Sequence, residues 1–220
     1  MDYAKARRHM VDSQILPNRV TDPRIIAAME SLPRESFVPE DRKSVAYVDE
    51  AIPVGNGRHL MEPMIVARLL QTAEPNDDDV ALVVGSATGY TAAVLSKMTS
   101  AVVVVVESDA ALAAQASTTL SELGIDNVAV MEGSLSEGYP KQAPYDLIIF
   151  DGAVAEVPQS IQAQLAEGGR LVAVVGGLSH GMLGSAVVMS NFHGAVSARA
   201  VFEAGTPPLP GFTADQAFSF

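Results

Sequence analysis

The chain has 220 residues, of which 48% are hydrophobic and 18% charged, a composition typical of a folded globular protein. It contains no cysteine, which excludes disulfides, thiolate nucleophiles and cysteine-ligated metal centres. Its formal net charge of −12 would repel a phosphate backbone, so nucleic acid is not expected as a partner.

The apolar runs are short compared with the roughly 20 residues that a membrane-spanning helix needs. The first residues are charged and show no apolar segment of a secretory signal, so we expect a cytoplasmic protein without a membrane partner. The four histidines have no metal-binding spacing, and no metal is expected. The cations that cluster early in the chain have acids interspersed among them, which indicates a solvated helical face.

The first part of the chain, to about residue 75, is predicted to be helical. Apolar residues at helical spacing cover residues 3–16 and end before Pro17. Asp22 followed by Pro23 indicates the start of a second helix. A loop or short strand over 47–53 leads to a segment at 54–57 that is expected to be flexible, and a further helix is predicted to begin at Glu62 and Pro63.

From about residue 78 the pattern changes to apolar strands alternating with helices. Strands are predicted at 80–84, 101–106, 127–131, 145–150 and 170–175, with helices after residue 90, at 109–123 and at 158–166. This alternation predicts an α/β fold with a doubly wound, mostly parallel sheet. The core is expected to end near residue 180.

Residues 181–220 are predicted to add antiparallel edge strands over about 182–203, followed by a proline-rich tail. Since no repeat or long linker interrupts the chain, residues 1–220 are predicted to form a single domain. The end of the tail, Phe218 to Phe220, is predicted either to cover a sheet edge or to bind a partner.

The turn after the first buried strand carries the first chemical signal. Gly85 and Gly89 allow the backbone to approach a ligand closely, although two glycines alone are a weak signal. Glu107 follows Gly85 by 22 residues, near the interval of about 20 residues that is typical of a ribose-binding carboxylate. The alternative is that Glu107 caps the next helix together with Ser108 and Asp109. A nicotinamide cofactor is disfavoured because Ala87 replaces the middle glycine.

Several motifs occur in the order found in one enzyme family. They are MVDSQI at 10–15, DPR at 22–24, LPRESFVP at 32–39, AYVD at 46–49, LGIDNV at 123–128, APYD at 143–146 and QLAEGGRL at 164–171. Over roughly residues 8–177 the chain therefore resembles the protein-L-isoaspartate O-methyltransferase family.

The resemblance implies a Rossmann-like class I methyltransferase fold and an enzyme that uses S-adenosylmethionine. Such an enzyme methylates the stray α-carboxylate of an isoaspartyl residue in a damaged protein or peptide. The spacing and the resemblance together give the candidate cofactor-binding residues, which are Gly85, Ser86, Gly89, Tyr90, Glu107, Ser134 and Asp151.

The chain departs from the family pattern at several site positions. Residues 55–63 read GNGRHLMEP where the family has GxGQTISQP, so Met61 replaces the serine implied to hold the substrate. Val83, Ala87 and Ser134 replace an acid, a glycine and an aspartate. Lost polar contacts predict weakened cofactor affinity. The alternative function is a family-derived pseudoenzyme, either a regulatory or a binding module.

Three residues are predicted to compensate for these losses. Arg58 and His59 form a cation pair that could hold a substrate carboxylate, the alternative being local pairing with acids such as Glu62. Asp151 either faces the cofactor crevice or caps the turn that follows it.

Overall fold

The computed structural model describes residues 1–179 and 182–212, and it contains a seven-stranded sheet with the order β5-β4-β3-β6-β7-β8-β9. The first five of these strands run parallel, and β8 and β9 are antiparallel. The strands are β1 Ile52–Gly55, β2 Arg58–Leu60, β3 Ala81–Val84, β4 Val103–Glu107, β5 Val128–Glu132, β6 Tyr145–Val154, β7 Leu165–Gly176, β8 Gly184–Phe192 and β9 Ala195–Ala204. The predicted fold class is confirmed.

Six α-helices accompany the strands in the described part of the chain. They are α1 Tyr3–Met10, α2 Pro23–Ser31, α3 Pro63–Ala73, α4 Tyr90–Ser96, α5 Ala110–Glu122 and α6 Gln159–Gln162. None of the helices in residues 1–179 and 182–212 has the length and apolar character that crossing a membrane requires.

The N-terminal helices agree with the sequence prediction in place, although not in regularity. Asp22 caps α2 by accepting a hydrogen bond from the Arg24 amide, and Pro23 is the first helical residue. After α1 the chain continues through a π-helical turn, Val11–Ile15, and a 3₁₀ turn, Leu16–Asn18. The predicted helix over 3–16 is therefore helical throughout but changes its winding.

The segment predicted to be flexible, residues 54–57, instead belongs to a β-hairpin. Strands β1 and β2 pair antiparallel, and Asn56 and Gly57 form the turn between them with positive φ angles of 50° and 72°. Asn-Gly is the preferred pair for such a turn because both positions need this conformation. The hairpin fixes the position of the residues on β2.

Two predicted boundaries near the end of the core also differ. The helix predicted at 158–166 is confined to Gln159–Gln162, because Leu165 already begins β7 and pairs with Tyr145. Strand β6 continues past Phe150 to Val154 through a register shift. The antiparallel edge strands are confirmed as β8 and β9. The predicted roles of Phe218 to Phe220 lie outside the described residues.

The two faces of the sheet are covered by different parts of the chain. Side chains of Val83, Val105 and Ile149 pack against the N-terminal helices and α3–α5. Phe150, on the opposite face, packs with Ile161 of α6 and with the tail residues Leu209 and Phe212. The tail after β9 thus becomes part of the core near the ends of the central strands. That all these parts fold as one domain stays a prediction.

Candidate active site

The crevice lies at the carboxyl ends of β3, β4 and β6, beside the point where the strand order reverses. In doubly wound sheets this is where ligands bind. Gly85 follows β3, Glu107 ends β4, and Asp151 lies near the end of β6. The structure brings these three predicted residues together from positions far apart in the sequence.

Glu107 is fully buried, and both of its carboxylate oxygens accept hydrogen bonds. Oε1 accepts bonds from the amides of Ser108 at 2.8 Å and Asp109 at 3.1 Å, while Oε2 accepts one from the Ala87 amide at 2.9 Å. The helix cap predicted as an alternative role belongs to Asp109, which accepts bonds from two amides of α5. Glu107 instead links the end of β4 to the turn after β3.

Arg58 supplies the countercharge of Glu107. Its Nη1 forms an ion pair with Glu107 Oε1, and its Nη2 donates to the Gly85 carbonyl oxygen at 2.6 Å. The Arg58 side chain is only 4% exposed. The predicted alternative, an exposed arginine pairing with a local acid such as Glu62, is wrong for Arg58, because β2 directs the guanidinium into the crevice. The predicted role in holding a substrate carboxylate stays a prediction.

The tail crosses the same crevice and places Leu209 in it. The Leu209 amide donates to the Ala153 carbonyl oxygen at 2.8 Å, and the Ala153 amide donates to the Pro207 carbonyl oxygen at 3.0 Å. A methyl group on Gly85 would lie 2.7 Å from Leu209 Cδ2, and one on Gly152 would lie 2.8 Å from Leu209 Cγ. Leu209 thus covers both glycines.

Little space remains where these groups meet. The cavity between Arg58, Asp151 and Leu209 has a volume of about 10 Å³, room for no more than one water molecule. A larger cleft of about 660 Å³ opens beside it and is lined by Asp49, Glu62 and His59, among others.

Burial shifts the pKa values of the ionisable side chains that line the larger cleft. Burial lowers the pKa of His59, so its imidazole is uncharged at neutral pH. Burial raises the pKa values of Glu62 and Asp49. Because Arg58 is paired and His59 is neutral, the predicted cation pair is not presented to the cleft in this arrangement.

Asp151 lies at the buried end of the crevice, where its Oδ1 accepts a hydrogen bond from Thr91 Oγ1 at 2.8 Å. Burial raises its pKa to about 6, although the hydrogen bond from Thr91 and the nearby charge of Arg58 act in the opposite direction. The carboxyl group contacts α4 from within β6, and Asp151 lines the small cavity with Arg58. Its role in binding a cofactor stays a prediction.

This raised pKa predicts a pH-dependent stability difference between the wild type and Asp151→Asn. The folded protein holds the proton above the ordinary pKa of 3.8, so the contribution of Asp151 is full below about pH 4 and is lost as the pH rises through about 6. We expect the wild type to lose about 3 kcal/mol relative to the variant across this range, measured by urea unfolding. The exposed control, Asp126→Asn, should show no such divergence; parallel profiles for wild type and Asp151→Asn would contradict the assignment.

The remaining predicted residues fall into two groups. Ser86, Gly89 and Tyr90 are buried at the start of α4, where the Tyr90 ring lies 4.7 Å from the guanidinium carbon of Arg34. Ser134 is exposed after β5 and contacts the hydroxyl of Ser136. The sequence prediction missed Leu209, whose only local signal is an apolar residue enclosed by prolines.

Comparison with solved structures defines the class of protein. A protein-L-isoaspartate O-methyltransferase structure superimposes with a TM-score of 0.80 at 25% identity, covering 93% of this chain and 66% of that one. A Plasmodium falciparum structure named for the same type of enzyme, in complex with S-adenosyl-L-homocysteine, gives a TM-score of 0.76 at 16% identity and supports the fold, covering 95% and 98% of the two chains. The fold is that of a class I methyltransferase.

Sequence relatives define the family within that class. The family model for protein-L-isoaspartate(D-aspartate) O-methyltransferase matches residues 5–195. A protein-L-isoaspartate O-methyltransferase of Methanoregula boonei is 43% identical over 171 residues, 78% of each chain. One from Rhodopseudomonas palustris is 41% identical over 174 residues, 79% of this chain and 71% of that one. This chain belongs to the protein-L-isoaspartate(D-aspartate) O-methyltransferase family, which favours an enzyme over a binding module.

Proposed function

We propose that the chain transfers a methyl group from S-adenosylmethionine to the free α-carboxylate of an isoaspartyl residue in a damaged protein. The observation that carries this proposal is the buried carboxylate of Glu107, held at the end of β4 beside the Gly85 turn in a member of this family. A carboxylate in this position of a doubly wound sheet suits the hydroxyls of a ribose.

The chemistry of the residues present fits the cofactor, but their arrangement leaves no room for it. Gly85 and Gly89 have the positive φ angles, 76° and 96°, that a sharp turn around a ligand requires. Glu107 supplies a buried carboxylate acceptor, and Ser86 and Asp151 add polar groups nearby. Arg58 and Leu209, however, occupy the space between these residues.

The demands that methyl transfer makes on the protein are modest. When bound, S-adenosylmethionine supplies an activated methyl group, and the acceptor carboxylate is already ionised at neutral pH. No strong general base is needed, so the protein contributes by positioning the carboxylate and excluding water. The buried crevice next to an open cleft provides both a dry end and a route for a peptide.

Arg58 and His59 are proposed to hold the substrate carboxylate. Both residues line the small cavity, and His59 also lines the larger cleft; they lie on the same hairpin strand. A released Arg58 guanidinium could bind a carboxylate through two hydrogen bonds, and a neutral His59 could donate one more. We further propose that the protein acts in the cytoplasm without a nucleic acid or membrane partner.

The test is transfer of labelled methyl from S-adenosylmethionine to an isoaspartyl peptide, compared with the same peptide containing normal aspartate. We expect label only in the isoaspartyl peptide, because the normal residue has no free α-carboxylate. Glu107→Gln should lower the rate, whereas Glu132→Gln, at the paired position of β5, should not. Equal labelling of both peptides, or no labelling of either, would contradict the proposal.

A further inference from the structure

We propose that Arg58 and Leu209 together form a plug that the cofactor must displace before it can bind. We call these two side chains the crevice plug. The inference rests on the proposed function, since it concerns the same crevice. The chain thus carries its own competitor for the cofactor, and the two side chains come from two separate elements, the β1–β2 hairpin and the tail after β9.

Arg58 competes for the acceptor that a ribose would use. Glu107 Oε1 already accepts bonds from Arg58 and from the amides of Ser108 and Asp109. The two amides follow Glu107 directly in the chain and stay in place as long as β4 and α5 are folded. Arg58 lies 49 residues away in sequence, so it can leave without disrupting either element.

The hairpin that carries Arg58 is suited to such a movement. Gly55 ends β1 and Gly57 lies in the turn, and a methyl group on either glycine would meet no atom beyond its chain neighbours within 4 Å. The side chain of Asn56 holds the tip through one hydrogen bond to Asp109 Oδ2 at 2.6 Å. The strands themselves are anchored by the buried Ile52, Val54 and Leu60. The open surroundings of the turn therefore leave space for the turn and the Arg58 side chain to move outward, while the strands stay in place.

Leu209 occupies the part of the crevice that the glycines leave open. Its side chain lies against Gly85 and Gly152, whose missing side chains are what let it approach so closely. Three hydrogen bonds, donated by the amides of Leu209, Ala153 and Ala155, hold the tail after β9 to the end of β6 and the residue that follows it. A ligand that contacts the backbone at Gly85 therefore requires the Leu209 side chain to withdraw.

Because the two parts of the plug come from different elements, each can be removed by itself. The experiment is calorimetric titration of the full chain with S-adenosylhomocysteine. We expect Arg58→Gln and Leu209→Ala each to raise the affinity, Arg58→Gln by about tenfold to a hundredfold, the effect of removing a charged hydrogen-bonding competitor. Thermal unfolding of each variant first establishes that it is folded at the assay temperature.

Matched controls remove the same side chains elsewhere. Arg68→Gln removes an arginine that stacks on Phe202, and Leu16→Ala removes a half-exposed leucine on the N-terminal segment. Both controls should bind S-adenosylhomocysteine as the wild type does. A wild type that binds as tightly as the plug variants would overturn the plug and leave the methyltransferase proposal standing. Folded plug variants that all fail to bind would overturn both, because the opened crevice would then still exclude the cofactor.

Discussion

Replacing Glu107 with alanine is expected to lower the free energy of unfolding by about 3–5 kcal/mol, the usual cost of breaking a buried ion pair from one side. The substitution leaves Arg58, which is 4% exposed, without its countercharge. It also leaves the amides of Ala87, Ser108 and Asp109 without their acceptor. Urea unfolding of the variant and the wild type at neutral pH measures the difference.

The control for this prediction lies on the neighbouring strand. Glu132 is paired in register with Glu107 at the end of β5 but is exposed, so Glu132→Ala should change the stability by no more than about 0.5 kcal/mol. The double variant Glu107→Ala with Arg58→Ala should lose less than the two single losses added together, since no buried charge remains unpaired. Equal stability of the two glutamate variants would show that Glu107 is not held as described.

The second large effect is expected from Phe37→Ala, which should lower the free energy of unfolding by about 3–5 kcal/mol. Phe37 is fully buried, and its ring meets that of Tyr90 edge-on with 5.3 Å between the centroids. Its carbonyl oxygen also accepts a hydrogen bond from the hydroxyl of Thr88 at 2.6 Å. The residue thus joins the N-terminal part of the chain to the turn that shapes the crevice.

Phe192→Ala is the matched control, because this ring is 58% exposed at the end of β8. Its removal should change the stability by about 0.5 kcal/mol or less. Comparable losses for the two phenylalanine variants would mean that Phe37 does not anchor the N-terminal part. Unfolding followed by both circular dichroism and tyrosine fluorescence would show whether, in the Phe37 variant, the N-terminal part unfolds separately from the part that contains the central sheet.

The sequence predicted the central sheet well because its strands are buried on both faces. Continuous apolar runs such as the one ending at Val84 have few other interpretations. The predicted ends of helices and strands were less accurate where they depend on which strands pair with each other. Leu165 begins a strand only because Tyr145 lies opposite it, and no local pattern contains that information. The Asn56-Gly57 turn, in contrast, carries a local signal, because an Asn-Gly pair favours a tight hairpin turn.

The sequence predicted the acids and glycines of the candidate site, but not that the side chains of Arg58 and Leu209 occupy the crevice between them. Glu107 could be placed from its spacing to Gly85, since parallel strands carry their carboxyl ends to one edge. The partner of Arg58 could not be predicted, because a hairpin and a strand tip 49 residues apart meet only in the fold. Leu209 reaches the crevice from the far end of the sheet, which local patterns do not reveal.

The turn after β3 has a conformation that usually requires glycine, although its middle position is Ala87. Ala87 keeps a positive φ angle of 48° between Gly85 and Gly89, a conformation that costs an ordinary residue about 1–2 kcal/mol. The carboxylate of Glu107 accepts a hydrogen bond from the Ala87 amide and stabilises the turn in this conformation. A sequence pattern that requires three glycines at this turn therefore misses chains such as this one, in which the carboxylate of Glu107 stabilises the turn although Ala87 stands at the middle position.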